Sequence, residues 1–219
     1  MNLYIIAQYL DLNGAQEDRL LKVGQECIKR GHDVTVFTIN RVSDLDLGDK
    51  KIGLRQKNGL KIITFNVPLE REMGALKKGY AFLKFARMTS RQGKQLPPPD
   101  VVLTVSPPLT AALPAMNLSK SFNVPLVAEI RELWPDGPVQ RGTMKNGLVI
   151  KAARKLEQQL YEKADRIVAL NEPILGAIKE RWVERAKLSV IKEDLSDEQL
   201  IEQYEKVFRG ITSKEKLLN

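Results

Sequence analysis

Short apolar runs alternate with longer segments of helical periodicity along most of this chain. The first run covers residues 3–9 and contains the β-branched pair Ile5 and Ile6, which is typical of a buried strand. After a loop at 11–14, apolar positions recur at helical spacing from Ala15, and Gly31 ends that helix. A second apolar run follows at 33–39. This strand-loop-helix-strand unit predicts a parallel sheet with a right-handed crossover.

The same alternation continues to residue 191. The polar segment 41–59 predicts either a loop or a short hairpin. The pattern as a whole predicts an α/β fold with a doubly wound, parallel, Rossmann-like sheet, in which binding sites lie at the carboxyl ends of the strands. Further strands are predicted at 60–67, 100–105, 124–130, 165–170 and 188–191, and further helices at 74–94, 108–122, 147–163 and from Asn171 onward.

Local signals add detail to the later helices. Ser106 is expected to cap the helix at 108–122, and Pro114 is expected to bend it. Asn171 is expected to cap the helix that follows it. The predicted inner faces of the two last helices before residue 191 consist of Val149, Ala153, Leu156 and Leu160, and of Ile174, Leu175, Ile178 and Trp182.

The chain ends in one more predicted helix. Ser196 and Gln199 have the spacing of a capping box, and Gly210 is expected to end the helix. The apolar positions between them indicate a helix that packs on one face, and they are Leu200, Ile201, Tyr204, Val207 and Phe208.

Charge is distributed unevenly. The formal net charge is +8 and the isoelectric point is about 9.5. From Glu193 onward, seven acidic residues stand against four basic ones, a net charge of −3, so the preceding part carries +11. Such an excess of positive charge suggests an anionic partner, for example phosphate groups, a nucleic acid or a membrane surface.

The scarcity of cysteine and histidine excludes several kinds of site. Cys27 is the single cysteine and His32 the single histidine, so the sequence holds neither an internal disulfide nor a Cys/His zinc site. A Ser-His-Asp triad would need His32, which falls in a predicted turn, and is disfavoured. No stretch approaches the ~20 apolar residues of a membrane span, and no leader is recognisable. These features predict a cytoplasmic protein.

Several segments of the chain resemble the N-terminal, acceptor-side domain of family 4-like GT-B glycosyltransferases. They are KRGHDVTV at 29–36, PDVVLTVSPP at 99–108, VPLV at 124–127, EIRELWPD at 129–136 and LYEKADRIVALN at 160–171. The resemblance covers residues 1–191, which we take as one domain. The family's donor domain would follow residue 191 but is missing here. Residues 192–219 instead resemble the family's extreme C-terminus, which packs back on the N-terminal domain.

The resemblance implies a function. In this family the N-terminal domain binds the acceptor, the C-terminal domain binds the nucleotide sugar, and no metal is held by a protein cluster. It implies an acceptor-binding domain for sugar transfer from a UDP- or GDP-sugar to a lipid-linked or saccharide acceptor in surface polysaccharide synthesis. Such a domain would bind no cofactor alone and would need a separate donor-binding domain or chain for activity.

Two other functions remain open at this stage. The alternative to a glycosyltransferase domain is a non-catalytic scaffold or a truncated, decayed glycosyltransferase. A nucleic-acid binder, suggested by the net charge, ranks last because aromatic residues make up only 6% of the chain and no DNA or RNA motif is recognisable.

The resemblance also points to site residues. Glu132 and Arg131 are the predicted catalytic residues, with Glu132 as a base, and Glu129 and Trp134 are predicted to bind the acceptor. The alternative is that Arg131 and Glu129 form a structural ion pair and that Trp134 belongs to the core. Further predicted acceptor-binding residues are Asn13 and Gly14, which follow the first strand, and Ser106; an ordinary turn is the alternative for the first two.

The helix at 74–94 is strongly basic. Between residues 73 and 99 the sequence has six basic residues and no acidic one, with aromatic and aliphatic residues among them. This pattern is typical of a helix that lies on an anionic membrane, although a solvated helix with one core face has the same pattern. The predicted membrane-facing residues, at the inner face of the membrane, are Lys77, Lys78, Lys84, Arg87 and Arg91.

Overall fold

The computed structural model of the chain describes residues 1–10, 18–40, 47–68, 73–181 and 183–216. They form an eight-stranded sheet in the order β3-β4-β2-β1-β5-β6-β7-β8. Seven strands run parallel, and β3 alone pairs antiparallel, with β4. The strands are β1 Asn2–Ile6, β2 Asp33–Ile39, β3 Ile52–Lys57, β4 Leu60–Phe65, β5 Val101–Ser106, β6 Leu126–Ile130, β7 Arg166–Ala169 and β8 Leu188–Val190.

Helices cover both faces of the sheet, which confirms the doubly wound α/β fold. The described residues also form two 3₁₀ turns, Leu109–Ala111 and Arg185–Lys187. The helices are α1 Arg19–Lys29, α2 Ala75–Gly93, α3 Ala112–Phe122, α4 Asp136–Gln140, α5 Gly147–Lys163, α6 Glu172–Lys179 and α7 Asp197–Lys216.

Alternate residues of each strand enter opposite halves of the core. Tyr4 and Ile6 of β1 pack in the half that α2, α3 and α5 cover, and the rings of Tyr4 and Phe37 meet edge to face at 5.1 Å. Leu3 and Ile5 pack in the half that α1 and α7 cover. The period of two follows from the pleat of the strand, so residues an even number apart at the strand ends also face the same side.

The segment 41–59, for which the sequence predicts a loop or a short hairpin, leads into a hairpin. Strands β3 and β4 are joined by Asn58 and Gly59, which both have positive φ angles of 48° and 83°. A two-residue Asn-Gly connection is the preferred turn between antiparallel strands because its twist matches theirs. At Gly59 a Cβ atom would also lie 2.5 Å from Cγ2 of Ile28, so this position excludes a side chain on two grounds.

Three local predictions are wrong. Ser106 is the last residue of β5 and caps no helix, because Pro108 and a 3₁₀ turn precede α3. Val149 is 45% exposed, since the buried face of α5 begins further along the helix. Helix α7 continues through Gly210 to Lys216, because buried Ile211 extends its apolar face. Pro114 lies in the first turn of α3, and the bend expected there stays a prediction.

The return of the C-terminal helix to the sheet is confirmed. The Ser196 N–H donates to Gln199 Oε1 at 3.1 Å, and the Gln199 N–H donates to Ser196 Oγ at 3.2 Å, which completes the capping box. The apolar face of α7, including Tyr204 and Phe208, shares one core cluster with Leu20 and Leu21 of α1. Trp182 lies outside the described residues.

Candidate functional site

Three strands end side by side at one edge of the sheet, which we call the carboxyl edge. Ile6 of β1 pairs with Thr104 of β5, and Ser106 at the end of β5 pairs with Ile130 at the end of β6. The N–H of Arg131 donates to the Ser106 carbonyl at 2.8 Å. The segments that follow β1, β5 and β6 therefore meet here, as sequence analysis predicted for a parallel sheet.

A cluster of four charged residues lies on the α1 and α7 side of this edge, and we call it the charge cluster: Asp18, Arg19, Glu129 and Arg131. Arg131 donates from Nε to Glu129 Oε1 at 2.6 Å and from its two terminal nitrogens to Asp18 at 3.1 Å each. Nε of Arg19 lies 3.5 Å from Glu129 Oε2. Glu129 is fully buried. Its charge is therefore balanced by two arginines rather than by solvent.

The charge cluster also holds the C-terminal part of the chain. Arg19 donates to the main-chain carbonyls of Ile191 and Lys192 at 2.8 and 2.6 Å, and its guanidinium lies 5.8 Å from the ring centre of Tyr204. Asp18 accepts from the Leu20 N–H at 2.8 Å and caps α1. The cluster thus joins β6, α1, α7 and the segment after β8.

The electrostatics of the two arginines differ. Burial lowers the pKa of Arg131, but the carboxylates of Glu129 and Asp18 outweigh it and raise that pKa above its ordinary value. At Arg19 burial dominates, and its pKa falls below the ordinary value although Glu129 opposes the change. Arg131 is therefore held as a cation between two anions. Its pair with Glu129 is the structural ion pair that sequence analysis gave as the alternative to a catalytic role.

The loop after β6 carries the other two predicted residues. Glu132 pairs with Arg141, and the Glu132 side chain is 30% exposed. Trp134 is partly buried against the core on the α2 and α3 side, so it is neither a fully enclosed core residue nor free in solvent. Ser106 is buried beside this loop. Asn13 and Gly14 lie outside the described residues.

Sequence reasoning missed a polar pair on the opposite side of the carboxyl edge. Gln8 follows β1 and is fully buried, and the Thr110 hydroxyl donates to its Oε1 at 2.8 Å. Nε2 of Gln8 has no hydrogen-bond partner among the described residues. We call Gln8 and Thr110 the amide pair. The signal in the sequence was a single amide directly after the apolar run LYIIA.

A second ionic network was also missed. Asp136 pairs with Arg154 at 2.9 Å and with Arg181, while Nε of Arg181 lies 3.4 Å from Glu157 Oε2. Tyr161 donates to Glu157 Oε1 at 3.0 Å. Burial raises the pKa of Glu157, and burial together with the Glu157 carboxylate raises the pKa of Tyr161. This network joins α4, α5 and the end of α6 and is not part of the carboxyl edge.

The basic helix α2 has a core face and an outer face. Phe85 is buried, whereas Tyr80 and Leu83 are 71% and 63% exposed. Among the predicted membrane-facing residues, Lys77, Arg87 and Arg91 are exposed, and Lys78 and Lys84 are partly buried. A cavity of about 380 Å³ lies between the start of α2 and the segment after β4, lined by Val67, Pro68, Met73, Lys77, Tyr80, Ala81 and Lys84.

Two features are absent from the residues that the structure describes. None of their helices combines the length and the apolar composition that a membrane crossing requires. They also contain no group of three or more His, Cys, Asp or Glu residues placed to hold a metal ion.

The mostly parallel sheet, its strand order and its helices on both faces define a Rossmann-like domain of the type found in GT-B glycosyltransferases. The family model of the glycosyl transferase 4-like domain matches residues 14–192, and the chain belongs to that family. Membership connects the chain with glycosyl transfer. No protein of curated function matches it in sequence.

Solved structures share the fold at low sequence identity. A sucrose-phosphate synthase chain from Thermosynechococcus elongatus that carries the designation 27_220_406_426 has a TM-score of 0.64 and 15% identity, with 96% of this chain and 98% of that one covered. A longer chain of the same synthase has a TM-score of 0.62 and 16% identity, over 87% of this chain and 47% of that one.

A third similar structure is HepE from Anabaena, solved in complex with UDP and glucose. Its TM-score is 0.52 at 13% identity, over 90% of this chain and 45% of that one. The chain thus spans about half the length of the longer structures that it matches. At these identities the likeness concerns the fold alone.

Proposed function

We propose that this chain is the acceptor-binding domain of a GT-B glycosyltransferase and that transfer needs a donor domain held by another domain or chain. The observation that carries the proposal is that Ser106 ends β5 and that Glu132 and Trp134 follow the neighbouring strand β6, at the carboxyl edge of a sheet in the glycosyl transferase 4-like family. Parallel α/β sheets bind ligands at this edge.

Each predicted residue has a role in this proposal. Trp134 offers an indole face to a sugar ring, and Glu132 accepts the proton of the attacking hydroxyl once it parts from Arg141. Ser106, Asn13 and Gly14 contribute polar groups to the acceptor. Because Arg131 and Glu129 bond each other and Glu129 is buried, they act by positioning the loop after β6.

The donor is proposed to be a nucleotide sugar with UDP or GDP as its carrier. Support comes from family membership and from a structure of the same fold solved with UDP and glucose. Support for a domain of this extent comes from the synthase chain designated 27_220_406_426, which is covered almost completely. A donor held on one side only lacks most of its positioning, so the chain alone should be inactive.

An activity assay tests the need for a donor domain. The chain is incubated with UDP-glucose or GDP-mannose and an oligosaccharide mixture, and release of UDP or GDP is measured. We expect no release above a protein-free blank. Sustained nucleotide release would show that the chain carries its own donor site and would contradict this part of the proposal.

A fluorescence titration tests acceptor binding. Trp134 and Trp182 are the only tryptophans, so Trp182→Phe leaves Trp134 as the single reporter. Saccharides and sugar phosphates should change its emission with saturation. If none does, while Trp134→Phe leaves the melting temperature unchanged, the alternative of a non-catalytic scaffold or decayed enzyme is favoured.

We further propose that α2 rests on an anionic membrane surface at the cytoplasmic side and so brings the edge near a lipid-linked acceptor in surface polysaccharide synthesis. Support comes from exposed Tyr80 and Leu83 on the same helix as exposed Lys77, Arg87 and Arg91, and from the mainly apolar cavity beside Lys77. Exposed apolar groups among cations are typical of helices that lie in a membrane interface.

Vesicle flotation tests this surface. The chain should float with vesicles of phosphatidylglycerol and phosphatidylcholine at low salt but not with phosphatidylcholine alone. Changing Tyr80 and Leu83 together to Ser should abolish flotation. The matched control is Leu54→Ser on β3, because this leucine is even more exposed than Leu83 but lies on a different element. Equal flotation with both lipid mixtures, or with the Tyr80/Leu83 variant, would overturn this proposal.

A further inference from the structure

The amide pair contains a buried donor without a hydrogen bond that belongs to a neutral group. In the charge cluster, Nε of Arg19 and Oε2 of Glu129 also lack hydrogen bonds, but they lie 3.5 Å apart and compensate each other as an ion pair. Oε1 of Gln8 accepts from Thr110, and the Gln8 main-chain carbonyl accepts from the Ile39 N–H at 3.2 Å and from the Thr38 hydroxyl at 3.4 Å. Nε2 of the fully buried side chain has no partner among the described residues. A buried amide left in this state costs free energy, so it requires an explanation.

The position of the amide pair in the sheet explains why its donor is unpaired. The chain builds the sheet outward from β1 to β2 and β4 and then returns to place β5 on the other side of β1. The crevice between β1 and β5 is therefore the switch point of the sheet, where α/β proteins bind ligands. Gln8 follows β1 and Thr110 follows β5, so their hydrogen bond spans this crevice.

Ser106 lies on the same side of the sheet. It is two residues beyond Thr104, which pairs with Ile6, and Gln8 is two residues beyond Ile6. The period of two directs Gln8 and Ser106 toward the half of the core that contains Tyr4 and Ile6. The charge cluster, by contrast, lies toward α1 and α7.

We propose that Gln8 is a ligand-binding residue of the switch-point crevice and that its Nε2 donates to an oxygen of the bound sugar or sugar phosphate, while Thr110 fixes the orientation of the amide. This inference rests on the proposed function and names one contact of the same edge. Because Nε2 is closed to solvent in the free chain, the oxygen reaches it after a local shift of the residues that cover it. The ligand then satisfies a donor that the fold leaves unpaired.

Calorimetric titration of the full chain with glucose 6-phosphate tests the proposal, since this probe offers both phosphate and hydroxyl oxygens. Gln8→Met keeps the volume of the side chain but removes the donor. We expect Gln8→Met to bind the probe on the order of tenfold more weakly, which is the scale of one hydrogen bond to a charged or polar group. Parallel titrations with inorganic phosphate and with glucose show which oxygen the amide recognises.

Thermal unfolding separates a binding role from a structural one. Gln8→Met removes the unpaired donor together with the acceptor of the Thr110 hydrogen bond, whereas Thr110→Val removes the same hydrogen bond and keeps the buried amide. If Nε2 is unpaired in the free chain, Gln8→Met should therefore melt at the same temperature as Thr110→Val or higher. The matched control is Tyr204→Phe, because the Tyr204 hydroxyl is also buried without a partner among the described residues but lies in the other half of the core. This control should keep full affinity for the probe.

The outcomes are distinct. Weaker binding by Gln8→Met, at a melting temperature equal to or above that of Thr110→Val, supports the inference. Equal binding by Gln8→Met and the unchanged chain, or a melting temperature of Gln8→Met below that of Thr110→Val, overturns it and leaves the proposed function standing. Failure of the unchanged chain to bind glucose 6-phosphate, inorganic phosphate or glucose overturns the inference together with saccharide binding at this edge.

Discussion

The two polar groups at the carboxyl edge differ in how their buried atoms are compensated. In the charge cluster, both arginines and both carboxylates face opposite charges, and Arg19 also bonds two main-chain carbonyls. Nε of Arg19 and Oε2 of Glu129 make no hydrogen bond, but they balance each other as an ion pair. In the amide pair, one side of the neutral Gln8 amide is bonded and the other has neither a hydrogen bond nor a charge to balance it, so a contact is left for a ligand.

The largest effect should come from breaking the charge cluster. Glu129→Gln removes the fully buried carboxylate between Arg19 and Arg131 and leaves two cations with one anion, Asp18. Removing one partner of a buried ion pair costs about 3–5 kcal/mol, so the free energy of unfolding should fall by that amount. Urea denaturation monitored by circular dichroism measures the change.

Glu132→Gln is the matched control for that experiment. Glu132 pairs with Arg141, but more than half of the Arg141 side chain is exposed, so loss of the pair should change the free energy of unfolding by less than about 1 kcal/mol. If Glu129→Gln were as mild as Glu132→Gln, the charge cluster would not be a structural element, and Arg131 would have to be reconsidered as a residue free to contact substrate.

A smaller effect should follow from removing the single side-chain partner of Gln8. Thr110→Val replaces the hydroxyl by a methyl group of similar size and leaves Oε1 of the buried amide unbonded as well. The expected loss is about 1–3 kcal/mol in the free energy of unfolding, the cost of one unsatisfied buried group. Thr110→Ser should restore most of it. Equal stability of the Val and Ser variants would show that the hydrogen bond does not form.

The smallest effect should be the pH dependence of stability that Glu157 causes. Glu157 is buried like Gln8, but it is paired with Tyr161 and Arg181. Burial raises its pKa above the ordinary value of 4.5, so the native chain holds a proton at pH values where the unfolded chain has lost it. The stability contribution of this group therefore falls as pH rises through that window.

Glu157→Gln tests the sign of that dependence. Stability should be measured by urea denaturation from about pH 4 to pH 7, and the variant should lose less stability over this range than the unchanged chain. A variant whose stability falls more steeply with pH would mean that Arg181 lowers the pKa of Glu157 more than burial raises it.

The fold was predictable because its signals are local and repeated. Each apolar run is short enough for one strand, each helix has a stop or cap such as Gly31 or Asn171, and the alternation admits few topologies. The capping box at Ser196 and Gln199 was readable for the same reason. The errors at Ser106 and Gly210 concern helix ends, where tertiary packing decides between neighbouring residues.

The candidate site was less predictable because its contacts are distant in sequence. Glu129 and Arg131 are two residues apart and were recognised together. Their partner Asp18 lies 113 residues before Arg131, and Arg19 directly follows Asp18, so no local pattern links the four residues. Gln8 and Thr110 are 102 residues apart, and only the sheet order brings them together. The segments that carry the family resemblance, such as EIRELWPD, do not include Gln8, so the resemblance gave no indication of this residue.

Saccharide binding at the carboxyl edge can be tested by mapping bound glucose 6-phosphate with ¹H–¹⁵N chemical-shift perturbation on the full chain. We predict that the shifts cluster at the carboxyl edge, in the amides around Gln8 and Ser106 and the indole of Trp134, while amides at the amino ends of the same strands stay unchanged. Shifts confined to other surfaces, or no shifts at saturating ligand, would show that the carboxyl edge is not the binding site.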